Sequence, residues 1–178
     1  MLSSVTNWLD KKLRLKVNPS KSAVDRPWKR KFLGFTFTTR RKRSIAPASR
    51  AKFKKRIREL TKRNRGASLA RVISELRSYL LGWRGYFGFC QTPAVLRKLA
   101  SWIHRRLRNY AWKQWKTGKR RFAELRRLGI GKDLAAQTAG SSKRYWHISR
   151  SPALHMSLTR AHLIELGLPL LLEPVSKV

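Results

Sequence analysis

Carboxylates are scarce in this chain. Across 178 residues Asp plus Glu number 8 against 43 Lys plus Arg, a formal net charge of +35. Self-repulsion on that scale disfavours a compact isolated chain, and a polyanion relieves it. Nucleic acid is therefore the leading partner, ahead of a ribosomal-type setting or an anionic membrane surface. Scarce carboxylates also limit chemistry. In the first 58 residues the only ones are Asp10 and Asp25, and neither sits in the paired-acid motif that two-metal phosphoryl transfer requires. His155, His162 and Glu165 match no standard zinc spacing, so no metal or cofactor is expected. A single cysteine, Cys90, excludes an intrachain disulfide and reads as a packed small hydrophobe. Long apolar runs are missing too. The longest, 166–172, is broken by Gly167 and Pro169, and the N-terminus has no apolar stretch of signal-peptide length, so a cytoplasmic protein without membrane spans is expected.

What is present is enough for folded cores: 42% hydrophobic residues, including seven Trp. Val5, Trp8, Leu9 and Leu13 recur at helical spacing and predict an amphipathic helix over 2–15. Residues 15–18 then read as a short strand, KFLGFTFT at 31–38 as a strand, and RRKR at 40–43 as a basic turn. From Pro47 the pattern is helical. Phe53, Ile57 and Leu60 make one narrow stripe, and Gly66 stops that helix. Ser68 caps a second helix carrying Leu69, Val72, Ile73, Leu76, Leu80, Trp83 and Phe87. Thr92-Pro93 starts a third helix that runs to about Thr117 and ends at Gly118. Short helices at 119–128 and 132–139, a loop SSKRYWHISRSP anchored by Tyr145 and Trp146, and a last helix capped by Ser157 complete the chain. The fold class is mainly α: a three-helix bundle over 46–117, preceded by a small α+β segment (1–45) and followed by a small helical segment (118–178).

On the first bundle helix Arg50, Lys54, Arg58 and Arg65 repeat near every fourth residue, and Lys55, Lys62 and Arg63 widen the surface. Glu59 is almost the only acid among them, whereas a merely solvated helix mixes signs. These are the primary candidates for nucleic-acid contact. On the third helix Leu96, Leu99, Ile103, Leu107 and Tyr110 share one face, and Arg105, Arg108, Trp112 and Trp115 share another. That second face suits a phosphate backbone with stacked bases, or else the two indoles pack on the C-terminal segment. Gly82, Gly85 and Gly88 form a slanting line of bare backbone beside Arg84, which admits either a neighbouring helix or a sugar-phosphate chain. Lys143 and Arg144, in the loop before Tyr145, complete the candidate set.

The stretches KLRLKVNPSKS, RKFLGFTFT, SLARVISELRSYLLGWRGYFGF, LRKLASWIHRRLRNYAWKQWK and GKDLAAQTAGSSKRYWHISRSPALHMSLTRAHLIELGLP occur in an order that resembles the C-terminal part of a bacterial group II intron reverse transcriptase/maturase. The resemblance covers nearly the whole chain. It implies that 1–45 is the end of the palm, 46–117 the thumb or maturase domain, and 118–178 a basic DNA-binding segment. It further implies that the aspartates of RNA-directed DNA polymerisation belong to a region upstream of Met1, so the chain is expected to be a truncated member with no catalytic residues of its own. Three readings follow from it: a binder of intron RNA that assists splicing, one half of a split polymerase completed by a separate chain carrying fingers and palm, and a non-functional remnant. DNA is a second expected ligand.

Overall fold

Residues 2–19 and 22–172 are described by a computed structural model of the chain. Met1, Ser20, Lys21 and the last six positions, 173–178, lie outside the described residues, and with them the end of the expected C-terminal segment. Helix α1 (Leu2–Leu13) opens the chain, followed by one 3-10 turn (Pro27–Lys29) and an antiparallel pair, β1 (Phe35–Phe37) and β2 (Arg43–Ile45). Helices α2 (Pro47–Leu60), α3 (Leu69–Phe87) and α4 (Pro93–Gln114) form the middle. Helices α5 (Gly118–Arg127), α6 (Lys132–Ala139), α7 (Tyr145–Ile148), α8 (Pro152–Ser157) and α9 (Arg160–Glu165) follow. The fold is mainly helical with one small sheet, as expected.

The middle folds as its periodicity dictates. Val72, Ile73, Leu76, Leu80 and Trp83 are buried on α3, against Phe53 and Ile57 of α2 and Leu96, Leu99, Ile103, Leu107 and Tyr110 of α4. Ser68 caps α3 as expected, its hydroxyl accepting from the Arg71 N–H at 3.2 Å. The first bundle helix ends at Leu60 rather than Gly66. The Thr61 hydroxyl donates to the Ile57 carbonyl at 2.6 Å and closes the last turn, which leaves Arg65 and Gly66 in the connection.

The sheet departs from expectation more clearly. Residues 31–38 are not one strand. Phe32 and Phe35 exchange backbone hydrogen bonds at 2.9 Å across Leu33 and Gly34, whose φ values are 46° and 77°. That is the two-residue hairpin turn whose twist matches its strands. Gly34 is required twice over: a Cβ there would meet the Ser49 hydroxyl at 3.0 Å and the Phe87 ring at 3.2 Å, on top of the left-handed φ. Arg43, expected in a turn, belongs to β2. Residues 15–18 form no strand: the Leu15 N–H donates to the Leu9 carbonyl at 3.2 Å, continuing the end of α1, and the Asn18 carbonyl accepts from the Ser22 N–H at 3.0 Å in a turn. Phe35 lies tilted against Phe87 at 5.2 Å and the Tyr86 hydroxyl donates to the Leu33 carbonyl at 2.8 Å, which ties the hairpin to the end of α3.

Helix α4 serves two cores. At 22 residues it is about 33 Å long, well beyond α2. Its first part lies in the bundle core. Ala111, Trp112 and Trp115 join Leu125, Ile130, Ala135, Ile148, Ala153, Leu154 and Leu158 in a second core. Gly118 starts α5 instead of ending α4, since the Thr117 hydroxyl accepts from the Arg120 N–H at 3.3 Å and acts as the cap. The stretch expected as a loop makes the single turn α7. Ser157 is the buried last residue of α8, and Thr159 is the cap of α9, accepting from the His162 N–H at 3.1 Å. Leu163, Leu168 and Leu171 then return to the first core.

Candidate nucleic-acid interface

Two rows of side chains face each other across α2 and α4. Arg50, Lys54 and Arg58 repeat every fourth residue on α2, and Lys98, Trp102 and Arg106 do the same on α4. The half-buried Trp102 ring joins the rows. The Lys54 ammonium lies 5.8 Å from its centroid, the Arg58 guanidinium 5.6 Å and the Arg106 guanidinium 5.5 Å. Arg106 is held by Thr61, donating to its hydroxyl at 2.6 Å and its carbonyl at 3.3 Å. Burial first, then the charges of Arg58 and Arg63, pull the Arg106 pKa below its ordinary value. At the other end, where α2 and α4 begin, a groove of about 380 Å³ is lined by Arg50, Lys54 and Lys98 with Pro47, Ala51, Ala94, Val95 and Leu99. Among the described residues no carboxylate lines it, and the Nε of Arg50 is buried without a hydrogen-bond partner.

The acids of the bundle are engaged elsewhere. Glu59 pairs with Arg56 at 3.1 Å, and Glu75 pairs with Arg65 at 2.7 Å and Arg71 at 3.5 Å. The hydrogen bond from Arg65 holds the Glu75 carboxyl below its usual range. Arg65, a candidate for phosphate contact, is thus tied to Glu75 and to the Leu60 carbonyl at 2.8 Å. Lys55 and Lys62 are exposed.

The second face of α4 points inward. Trp112 is 1% exposed and Trp115 9%. Both sit in the second core, so their indole faces are covered and the packing alternative describes them. Arg108 is buried and donates to the Ser149 carbonyl at 3.1 Å. Arg105 donates to the Trp146 carbonyl at 2.8 Å and the Ser149 hydroxyl at 3.2 Å, with its guanidinium 3.9 Å from the Trp146 ring centroid. These two arginines bind the C-terminal segment to α4. His104, beside them, is depressed to about 4 by burial and by the charges of Arg108 and Arg160. Lys143 and Arg144 are exposed next to Tyr145, whose ring has Arg63, Lys113 and Arg121 between 5.2 and 5.5 Å away.

The glycine line is open. Among the described residues nothing lies within 4 Å of a Cβ placed at Gly82 or Gly85, and no described helix packs there. Gly88 is different: a Cβ would lie 2.6 Å from the Arg84 carbonyl, which accepts the Gly88 N–H at 2.7 Å and ends α3. Arg84 is half-buried. Cys90 lies 3.0 Å from the Thr92 hydroxyl, and that hydroxyl donates to Ser44 instead of capping α4. His162 meets Glu165 at 3.5 Å, and among the described residues no three His, Cys, Asp or Glu gather as metal ligands.

Sequence reasoning missed Lys98, Trp102 and Arg106. The signal was available, because the four-residue spacing that selected Arg50, Lys54 and Arg58 recurs in them. Trp112 and Trp115 are equally prominent in the sequence and face the other way.

Fold and site together define a helical bundle with a groove of one charge sign. Residues 50–129, from the first cation of the groove to the glycine after α5, match the family model of the group II intron maturase-specific domain. No curated protein matches the chain. Among the described residues no helix is long and apolar enough to cross a membrane.

Proposed function

We propose that the chain is a maturase that binds group II intron RNA and assists its splicing, without a polymerase site of its own. The observation that carries this reading is the carboxylate-free groove between α2 and α4, lying within the segment that matches the maturase-specific family. The charge surplus supplies the long-range attraction. The groove and the exposed Lys55, Lys62, Lys143 and Arg144 supply contacts. Assigning no polymerase chemistry to this chain is in keeping with Asp10 and Asp25. Asp10 is exposed on α1, and the Asp25 carboxylate accepts from the Arg26 N–H at 2.7 Å in a loop. DNA is a second ligand of the same surfaces, and the cytoplasm is the proposed location.

The test is binding of intron RNA over a salt series. With roughly six to ten phosphates neutralised, log K against log salt falls with a slope of about −4 to −8. A slope near zero overturns the reading. Adding the protein should also raise the yield of spliced exons at magnesium levels where the intron alone splices poorly.

A second reading, one half of a split RNA-directed DNA polymerase, is favoured by the uncovered N-terminal segment. Phe32 is 74% exposed and Leu33 67%, and α1 has no buried residue. Co-expression with a separate fingers-and-palm chain tests it: stable co-purification with these side chains protected supports a split enzyme, and independent elution removes it.

A further inference from the structure

The groove where α2 and α4 begin has a more specific geometry than a charged surface needs. Three cations converge on one cavity of about 380 Å³: Arg50 and Lys54 from α2, and Lys98 from α4. Three like charges in one depression repel one another, and among the described residues no carboxylate of the lining offsets them. Among the described residues Arg50 Nε is a buried donor with no partner, and the residue also lines the cavity. Pro47 and Ala94, from the first turns of both helices, are in the wall, so the positive ends of two helices of 14 and 22 residues add to the side-chain charges. From this cavity the rows continue along the helices. Successive members stand about 6 Å apart, four residues at the helical rise. That step is of the order of the separation between successive phosphates along a strand. Trp102, gripped by Lys54, Arg58 and Arg106, stands midway.

We propose that the cavity between the first turns of α2 and α4 is a phosphate-binding pocket in which Arg50 and Lys98 grip a single phosphate of an RNA strand, and that the strand's backbone then runs along the seam toward Arg58 and Arg106. This rests on the RNA-binding reading and gives it a direction and a register. One phosphate lies between Arg50 and Lys98, and a different one lies near Arg58, two helical steps or about 12 Å away.

The experiment is a double-mutant cycle on the salt slope, using an intron RNA fragment and the full chain. Each phosphate that is no longer neutralised lowers the magnitude of the slope by about 0.7 to 0.9. R50Q alone and K98Q alone should each take away about one such step. R50Q/K98Q together should take away hardly more than either, because both release the same phosphate. R50Q/R58Q should take away two steps, because distant sites add. Lys98 and Arg58 are exposed, so their variants fold even if the half-buried Arg50 perturbs α2, and thermal unfolding checks each. Additive loss in R50Q/K98Q overturns the single-phosphate pocket. An unchanged slope in that double variant, with the unmodified chain still steep, overturns the pocket and leaves the RNA-binding reading intact. A flat slope in the unmodified chain overturns both.

Discussion

Helix α4 carries two sets of cations with opposite fates. Arg105 and Arg108 turn toward the C-terminal segment and donate to the carbonyls of Trp146 and Ser149. Lys98 turns toward α2 and lines a groove that offers it no acceptor from a carboxylate. Arg106 lies between these cases, fixed by Thr61 yet stacked on Trp102 beside Arg58. A formal +35 is therefore not one pool of binding charge. Part of it is structural and replaces the hydrogen bonds that α7 and its flanking turns lack. Another part, such as Lys98 in the groove, meets no carboxylate among the described lining residues and faces solvent. The two sets should separate cleanly when stability and RNA binding are measured on the same variants.

The largest effect is expected on the inward side. Trp112 is enclosed, with Trp115 edge-on at 5.9 Å and Arg121 at 4.7 Å over its ring. Replacing it with Ala removes the centre of the second core and should cost about 3–5 kcal/mol in denaturant unfolding. A loss below about 1 kcal/mol would mean that the C-terminal segment is not docked on α4. If Trp112 instead stacks on bases, its replacement would weaken RNA binding without this loss.

The next effect is a pH dependence on that same side. His104 is held at about 4 by burial, Arg108 and Arg160, whereas an unfolded chain titrates near 6.5. Below 6.5 the unfolded state takes up the proton first, so stability falls as pH drops from 6.5 to about 4 and is flat below that. The loss reaches up to about 3 kcal/mol. His155, lowered by burial and by the charges of Arg108 and Arg105, acts in the same direction. H104Q should flatten most of the fall, and a variant that keeps the full pH profile would dissociate it from His104.

Much of the bundle was readable because helical periodicity reports which face of a helix is buried. Val72, Ile73, Leu76 and Leu80 could point nowhere but inward, and Ser68 before them could only cap. Periodicity does not report what covers a face. Trp112 and Trp115 lie on the half of α4 that outruns its bundle neighbours, and their cover comes from residues such as Leu125 and Ile148, further along the chain. Local signals failed where backbone conformation overrode composition. FLGF looks like a strand until Leu33 and Gly34 are seen with positive φ. Gly118 looks like a stop until the Thr117 hydroxyl is seen accepting a hydrogen bond from the helix it precedes. In the candidate site, the α2 row stood out because almost nothing else shares its helix. The α4 row was hidden among apolar positions that serve the core.

A pair of arginine variants of smaller effect gives the sharpest contrast. Arg108→Gln removes a charged donor from the Ser149 carbonyl in a buried position and should cost about 1.5–3 kcal/mol, with no change in salt slope. Arg58→Gln removes an exposed cation that lies 5.6 Å from the Trp102 ring centroid and whose charge works against that of Arg106. Its unfolding free energy should stay within about 0.5 kcal/mol of the parent, while the magnitude of the RNA salt slope drops by about 0.7 to 0.9. Each variant deletes one guanidinium and the same unit of net charge, so a generic loss of attraction predicts equal binding defects. Equal defects would mean that total charge governs binding and that the groove adds nothing. Unequal ones would assign binding to the α2 side and cohesion to the C-terminal side of a single helix.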